Sequence, residues 1–254
     1  QEMPVGAAQI ASDSEQSEFP TALKALTVVT VIAVVMGLYM ALVNAGTDTV
    51  QGDVQRIFYI HVPAFFAAFV AFSATVVGGV QYLRKREKRW DTLALAGAEV
   101  GLVLAIVNIV TGAIWARPIW NTWWTWDPRL TSATIMALTY AAYLMLRNGV
   151  ENQEQRYRFA AVYGILAFTT VIATIVIIRI RPDTIHPAVV GPSQANARGA
   201  FELDATRGVA AAIGFNMVVW MTLVPITLMW YRVRLENMFE RVNAMKVDLL
   251  SREG

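Results

Sequence analysis

Apolar residues in this chain fall into six long runs, and the connectors between them hold most of the charge. The runs cover residues 22–43, 57–83, 93–115, 130–146, 159–178 and 208–231. Several reach roughly 20 residues with almost no charge, enough to cross about 30 Å of hydrocarbon. Hydrocarbon offers no water to backbone N–H and C=O groups, so each run must satisfy its own as a helix. The pattern predicts an all-α, polytopic membrane bundle of six transmembrane helices over 21–231. Before it, residues 1–20 are polar and acidic, lack the basic start of a signal peptide, and read as a disordered tail. After it, residues 232–254 repeat Leu235, Met238, Phe239, Val242, Met245 and Leu249 at helical spacing. That stripe predicts an amphipathic cytoplasmic helix, either docked on another subunit or lying on the membrane surface.

Charge sets the orientation. Arg84, Lys85, Arg86, Lys88 and Arg89 separate the second and third runs, and Arg147, Arg156 and Arg158 separate the fourth and fifth. Arg232, Arg234, Arg241, Lys246 and Arg252 follow the sixth. The positive-inside rule then puts both termini in the cytoplasm. Anionic lipid is the alternative reading of the basic run at 84–89. The outer connectors become 44–56, 115–129 and 179–207.

Composition agrees: charged residues make up 16% of the chain, against about 25% in soluble domains. The formal charge of +2 says little about partners, because the distribution of the basic residues matters more than their sum; no nucleic acid is expected. Cysteine is absent. That excludes disulfides, thiolate metal sites and a covalent Cys-x-x-Cys-His haem attachment within this chain.

Five of the eight tryptophans stand in the middle outer connector, 115–131, with Arg117, Arg129 and Asp127. The only two histidines fall beside the other two connectors, at His61 and His186. Counting back 22 residues from Leu83 at 1.5 Å each puts His61 about 33 Å away, at the outer boundary of the bilayer. Pro63 is expected to bend the helix near it, and Asp53 suits the N-cap. Prolines at 182 and 187 leave His186 in an external loop.

A haem needs these residue types together: axial imidazoles, aromatic walls and cations for its propionates. His61 and His186 could supply the axial pair. Trp120, Trp123, Trp124 and Trp126 could form a wall, and Arg56, Arg117 or Arg129 could meet carboxylates. Two histidines alone make a poor zinc site. Each piece also has a plainer reading. An interfacial histidine is often structural, and boundary tryptophans are usually anchors. Asp127-Pro128 is a good helix start, so Asp127 can serve as an N-cap alone. Glu99 and Asn108 lie at membrane depth, which makes them functional candidates, although helix packing explains Asn108 equally well. Only the density of indoles, with both histidines on their side, lacks a plain account.

The segment Trp120-Asn121-Thr122-Trp123-Trp124-Thr125-Trp126-Asp127-Pro128-Arg129-Leu130-Thr131-Ser132 resembles the signature of the WWD haem-handling proteins of cytochrome c maturation. Arg56-Ile57-Phe58-Tyr59-Ile60-His61-Val62-Pro63-Ala64 is similar to the first-histidine motif of their CcmC branch. The resemblance covers roughly residues 53–230. It implies that His61 and His186 are axial ligands to haem b, held non-covalently and transiently, and that the tryptophan loop is the haem platform. It implies a bacterial inner-membrane protein working with a haem chaperone on the outer face, an ABC-type ATPase, a second membrane subunit and a small single-span subunit. The expected role is to hold haem outside and present it, with Asp127 and Arg129 organising the loop or meeting propionates. No bond change by the protein itself is required. Two other readings stand beside it. A cytochrome b-like redox protein would need histidines at two depths, and a transporter moving haem through its own helices would need paired charges or broken helices near the midplane.

Overall fold

The computed structural model describes residues 19–48, 51–181, 184–186 and 208–253. The tail expected over 1–20 lies outside them, save for Phe19 and Pro20. Six long helices account for most of the rest. They are α1 (Thr21–Tyr39, continued by a π turn Met40–Asn44), α2 (Phe58–Lys85, entered through a 3₁₀ turn Asp53–Ile57) and α3 (Lys88–Trp120). Then come α4 (Pro128–Gly149), α5 (Gln153–Ile180) and α6, which runs through Val209–Val218, a π turn Val219–Leu223 and Val224–Glu253. No strand forms among the described residues, as the all-α expectation requires.

Five of these helices, all but α4, are long and apolar enough to cross a membrane. The expected count of six therefore narrows on this criterion. Helix α4 has 22 residues, about 33 Å of rise, but carries Arg129, Arg147 and a series of hydroxyls that lower its hydropathy. The stripe after Arg232 continues α6 without a break to Glu253.

Two residues in the left-handed region end helices: Arg86 (φ 58°) stops α2 and Asn121 (φ 54°) stops α3. Helix α3 therefore runs through Pro118 and ends later than the expected 115, so Trp115 and Trp120 are helical. Pro118 offers no N–H to the Ile114 carbonyl, so the helix goes without that one rung three residues before Asn121. Asp53 corrects an expectation. It does not N-cap α2; Gly52 precedes the 3₁₀ turn, and the Asp53 carboxylate accepts from Arg56 and Thr47 instead. Arg56 also donates to the carbonyls of Ala41 and Ala45, so it clamps the end of α1 to the approach to α2.

Helices α2 and α3 pack closest. A Cβ on Gly97 would stand 2.5 Å from the Ala71 carbonyl, so this crossing admits only hydrogen there. Small residues at such crossings let backbones approach where lipid gives no hydrophobic drive. Around it Phe72 stacks on Tyr140 with centroids 3.6 Å apart, and Met136 and Val171 complete a buried core.

Charged pairs close the end of the bundle that carries the basic connectors. Asp91 of α3 takes both terminal nitrogens of Arg147 of α4, at 2.6 and 2.7 Å, with both side chains under 10% exposed. The guanidinium also lies over the rings of Tyr143 and Tyr157. Glu99 of α3 pairs with Arg232 of α6, which also holds Glu236, and Lys88 pairs with Glu240. Arg147 and Arg232, topology charges by their place in the sequence, each tie two helices together.

Helix α1 is attached along one line. Thr27 bonds Tyr231 at 2.9 Å, Thr30 bonds Thr227 at 2.8 Å, and the Asn216 amide donates to the Gly37 carbonyl at 3.0 Å. Its other faces expose Val28, Val31, Ile32 and Val35.

Candidate functional site

His61 sits in the first turn of α2 and is 7% exposed. Its Nδ1–H donates to the backbone carbonyl of Asn108 at 2.9 Å, with Thr111 Oγ1 alongside at 3.2 Å. The Asn108 amide returns a bond to the His61 carbonyl at 2.8 Å. A carbonyl partner at Nδ1 fixes the neutral tautomer that leaves Nε2 with a lone pair, the usual support of a metal-binding imidazole. Asn108 was legible in the sequence as a polar residue at membrane depth, but its backbone carbonyl, which no sequence pattern marks, is what orients the ring.

Gly112 makes room for that ring. A Cβ there would stand 2.8 Å from Cε1 and 3.3 Å from Nδ1 of His61. Gly112→Ala should therefore rotate the imidazole away from Asn108. The expected result is about a tenfold loss of affinity for any metal ligand held by His61, in line with losses on removing outer support of a metal ligand. A spectroscopic titration unchanged from wild type would show that the ring does not need this space.

His186, half-buried, brings its ring centroid to 6.1 Å from that of His61, with 36° between the planes. Trp115 meets His61 edge-on at 5.8 Å, and Trp120 meets His186 edge-on at 6.1 Å. Two imidazoles far apart in the sequence thus share one cavity of about 280 Å³, walled also by Trp120, Trp123, Trp124 and Arg129. Among the described residues no three His, Cys, Asp or Glu groups stand close enough to cage a bare metal ion. A metal between these two rings would have to bring its other ligands with it.

The remaining site residues divide. The Trp124 indole N–H is buried without a partner among the described residues, an uncommon state that a ligand acceptor would relieve. Trp123 and Trp126 are exposed, at 58% and 74%, and Trp126 touches Trp124 edge-on at 5.9 Å without lining the cavity. Asp127 caps α4, accepting from the backbone N–H of Arg129 at 2.8 Å and of Leu130 at 3.0 Å, and does not line the cavity either. Arg129 does: its guanidinium donates to the Thr174 carbonyl at 3.1 Å and covers Phe65 at 5.2 Å. Of the other two arginines considered for carboxylates, Arg56 clamps α1 and Arg117 bonds Asn121. Sequence reading missed the contributions of Phe65, Gly112 and Thr174, which carry no local motif.

Comparison with known proteins gives one consistent result. The family model described as heme exporter protein C matches residues 8–248. The heme exporter protein C of Bradyrhizobium diazoefficiens is 29% identical over 230 residues, covering 89% of this chain and 83% of that protein. The Paracoccus denitrificans protein of the same name is 40% identical over 107 residues, 42% of this chain and 44% of its own length. That of Escherichia coli K12 is 30% identical over 137 residues, 54% of this chain and 56% of its own. Against the Paracoccus and Escherichia relatives the match thus spans about half of their length.

Proposed function

The chain belongs to the heme exporter protein C family, and on that premise we propose that it holds haem and hands it on during cytochrome c maturation. His61 and His186 are the axial ligands, Trp120, Trp123 and Trp124 the wall against the macrocycle, and Arg129 a partner for a propionate. One observation carries the reading: the two imidazole centroids are 6.1 Å apart in a single tryptophan-lined cavity. A metal–imidazole bond of about 2 Å on each side, plus about 1 Å from each nitrogen to its ring centre, sums to about 6 Å. The shortage of other metal-binding groups supports the same cargo, because a porphyrin brings four nitrogens of its own.

Asp127 acts by capping α4 and so fixing where Arg129 stands. The exposed Trp123 and Trp126 offer an aromatic surface to a haem chaperone. Both termini and the basic connectors lie on the cytoplasmic side of a bacterial inner membrane, α4 completes six spans, and the haem end faces outward. An ABC-type ATPase, a second membrane subunit and a small single-span subunit make up the rest of the assembly, with lipid around the apolar faces. The haem is haem b, bound without a covalent link and released to the chaperone.

The test is an absorbance spectrum of the full chain purified in detergent and titrated with ferric haem. A low-spin, six-coordinate spectrum with one haem per chain is expected. A high-spin spectrum, or no binding, would sink the bis-imidazole site.

A further inference from the structure

A second cavity, of about 300 Å³, shares His61, His186, Asn108 and Arg129 with the tryptophan-lined one. The imidazole pair is thus a common wall with space on both sides. The two spaces differ in chemistry. Phe65 also lines both; the first adds the indoles, and the second adds Phe66 of α2 and Ile175, Ile178 and Arg179 of α5. Arg129 anchors at the Thr174 carbonyl, and Arg179 follows in the last turn of the same helix, five residues or about 7.5 Å further along its axis. Two arginines lining one largely apolar space suit a flat, apolar ligand that carries two carboxylates on one edge.

Resting on the bis-imidazole reading, we propose that Arg179 joins Arg129 in a carboxylate subsite that receives the two haem propionates. The macrocycle then spans both cavities, its propionate edge toward α5 and its apolar edge toward the tryptophans. The subsite orients the cargo: whatever meets haem at the tryptophan loop meets the edge opposite the propionates. It also makes the site selective for a free diacid over an esterified or decarboxylated porphyrin of the same size.

Arg179 is the residue to test, because Arg129 also bridges α4 to α5 and its loss would disturb packing. Full-length wild type, Arg179→Gln and Arg179→Lys are reconstituted in nanodiscs and titrated with ferric protoporphyrin IX and with its dimethyl ester, following the Soret band. Wild type should prefer the diacid by about a hundredfold. Arg179→Gln should weaken the diacid about tenfold and leave the ester unchanged, the size expected for one charge-assisted pair. Arg179→Lys should keep most of the preference. A six-coordinate spectrum in Arg179→Gln with undiminished preference for the diacid would overturn the subsite alone. Equal weakening of both porphyrins would do the same, assigning Arg179 a structural part. A wild type that shows no bis-imidazole spectrum with either porphyrin would remove the underlying reading, and the subsite with it.

Discussion

His61→Ala is expected to lower haem affinity by more than a hundredfold and to abolish the six-coordinate spectrum of the purified protein. The imidazole is buried, its Nδ1 bond to the Asn108 carbonyl aims Nε2, and Gly112 gives it the room to stay there. Losing outer support of a metal ligand typically costs about 10- to 100-fold, so losing the ligand itself must cost more. The substitution leaves a hole bounded by Asn108, Thr111 and Trp115, into which free imidazole fits. Adding it should restore the low-spin spectrum, which a misfolded protein would not do. His186→Ala should leave a five-coordinate, high-spin haem on His61. A low-spin spectrum surviving in His61→Ala without added imidazole would take His61 out of the site.

Asp91→Ala should destabilise the protein by about 3–5 kcal/mol, the range for stranding one member of a buried ion pair. Both side chains are under 10% exposed and joined by two short bonds, and the abandoned Arg147 has only the faces of Tyr143 and Tyr157 left. The double replacement Asp91→Leu with Arg147→Met removes the charge along with its partner. It should recover much of the loss, since apolar residues of similar volume commonly replace a buried pair at little cost. Thermal denaturation in detergent, read as a double-mutant cycle, measures both. A loss in the double variant equal to the sum of the losses from Asp91→Leu and Arg147→Met made singly would show that the pair is not coupled.

Helix positions were readable from the sequence because hydrocarbon imposes one rule on every apolar run. His61 could be placed near one end of its helix by counting residues alone. What could not be read is what depends on residues far apart in the chain. The bond of Arg147 to Asp91 spans 56 positions and that of Arg232 to Glu99 spans 133; no local pattern announces either. The same pairing bears on α4, whose polar content reads as weak membrane character until its arginines find partners inside the protein. Helix α3 outlasts the apolar run that ends at residue 115, because what stops it is Asn121, which tolerates a left-handed backbone. Within the candidate site, the tryptophan density and the two histidines pointed to one cavity, and the backbone carbonyl that aims His61 had no signature to find. A cytochrome b-like arrangement calls for imidazoles at two depths. Both rings here line the same cavity, which favours a single haem.

The line of hydroxyl and amide contacts between α1 and α6 has a mechanical meaning. Weak packing alone would let the first helix spin about its axis in lipid; three side-chain rungs lock its azimuth to the last helix. The two therefore travel as a single plank, one end of which extends past the bundle along α6 while the other is gripped by Arg56. That guanidinium stands five residues ahead of His61. The azimuth of the first helix is thereby tied at one end to the last helix and at the other to the turn that leads into the histidine-bearing helix.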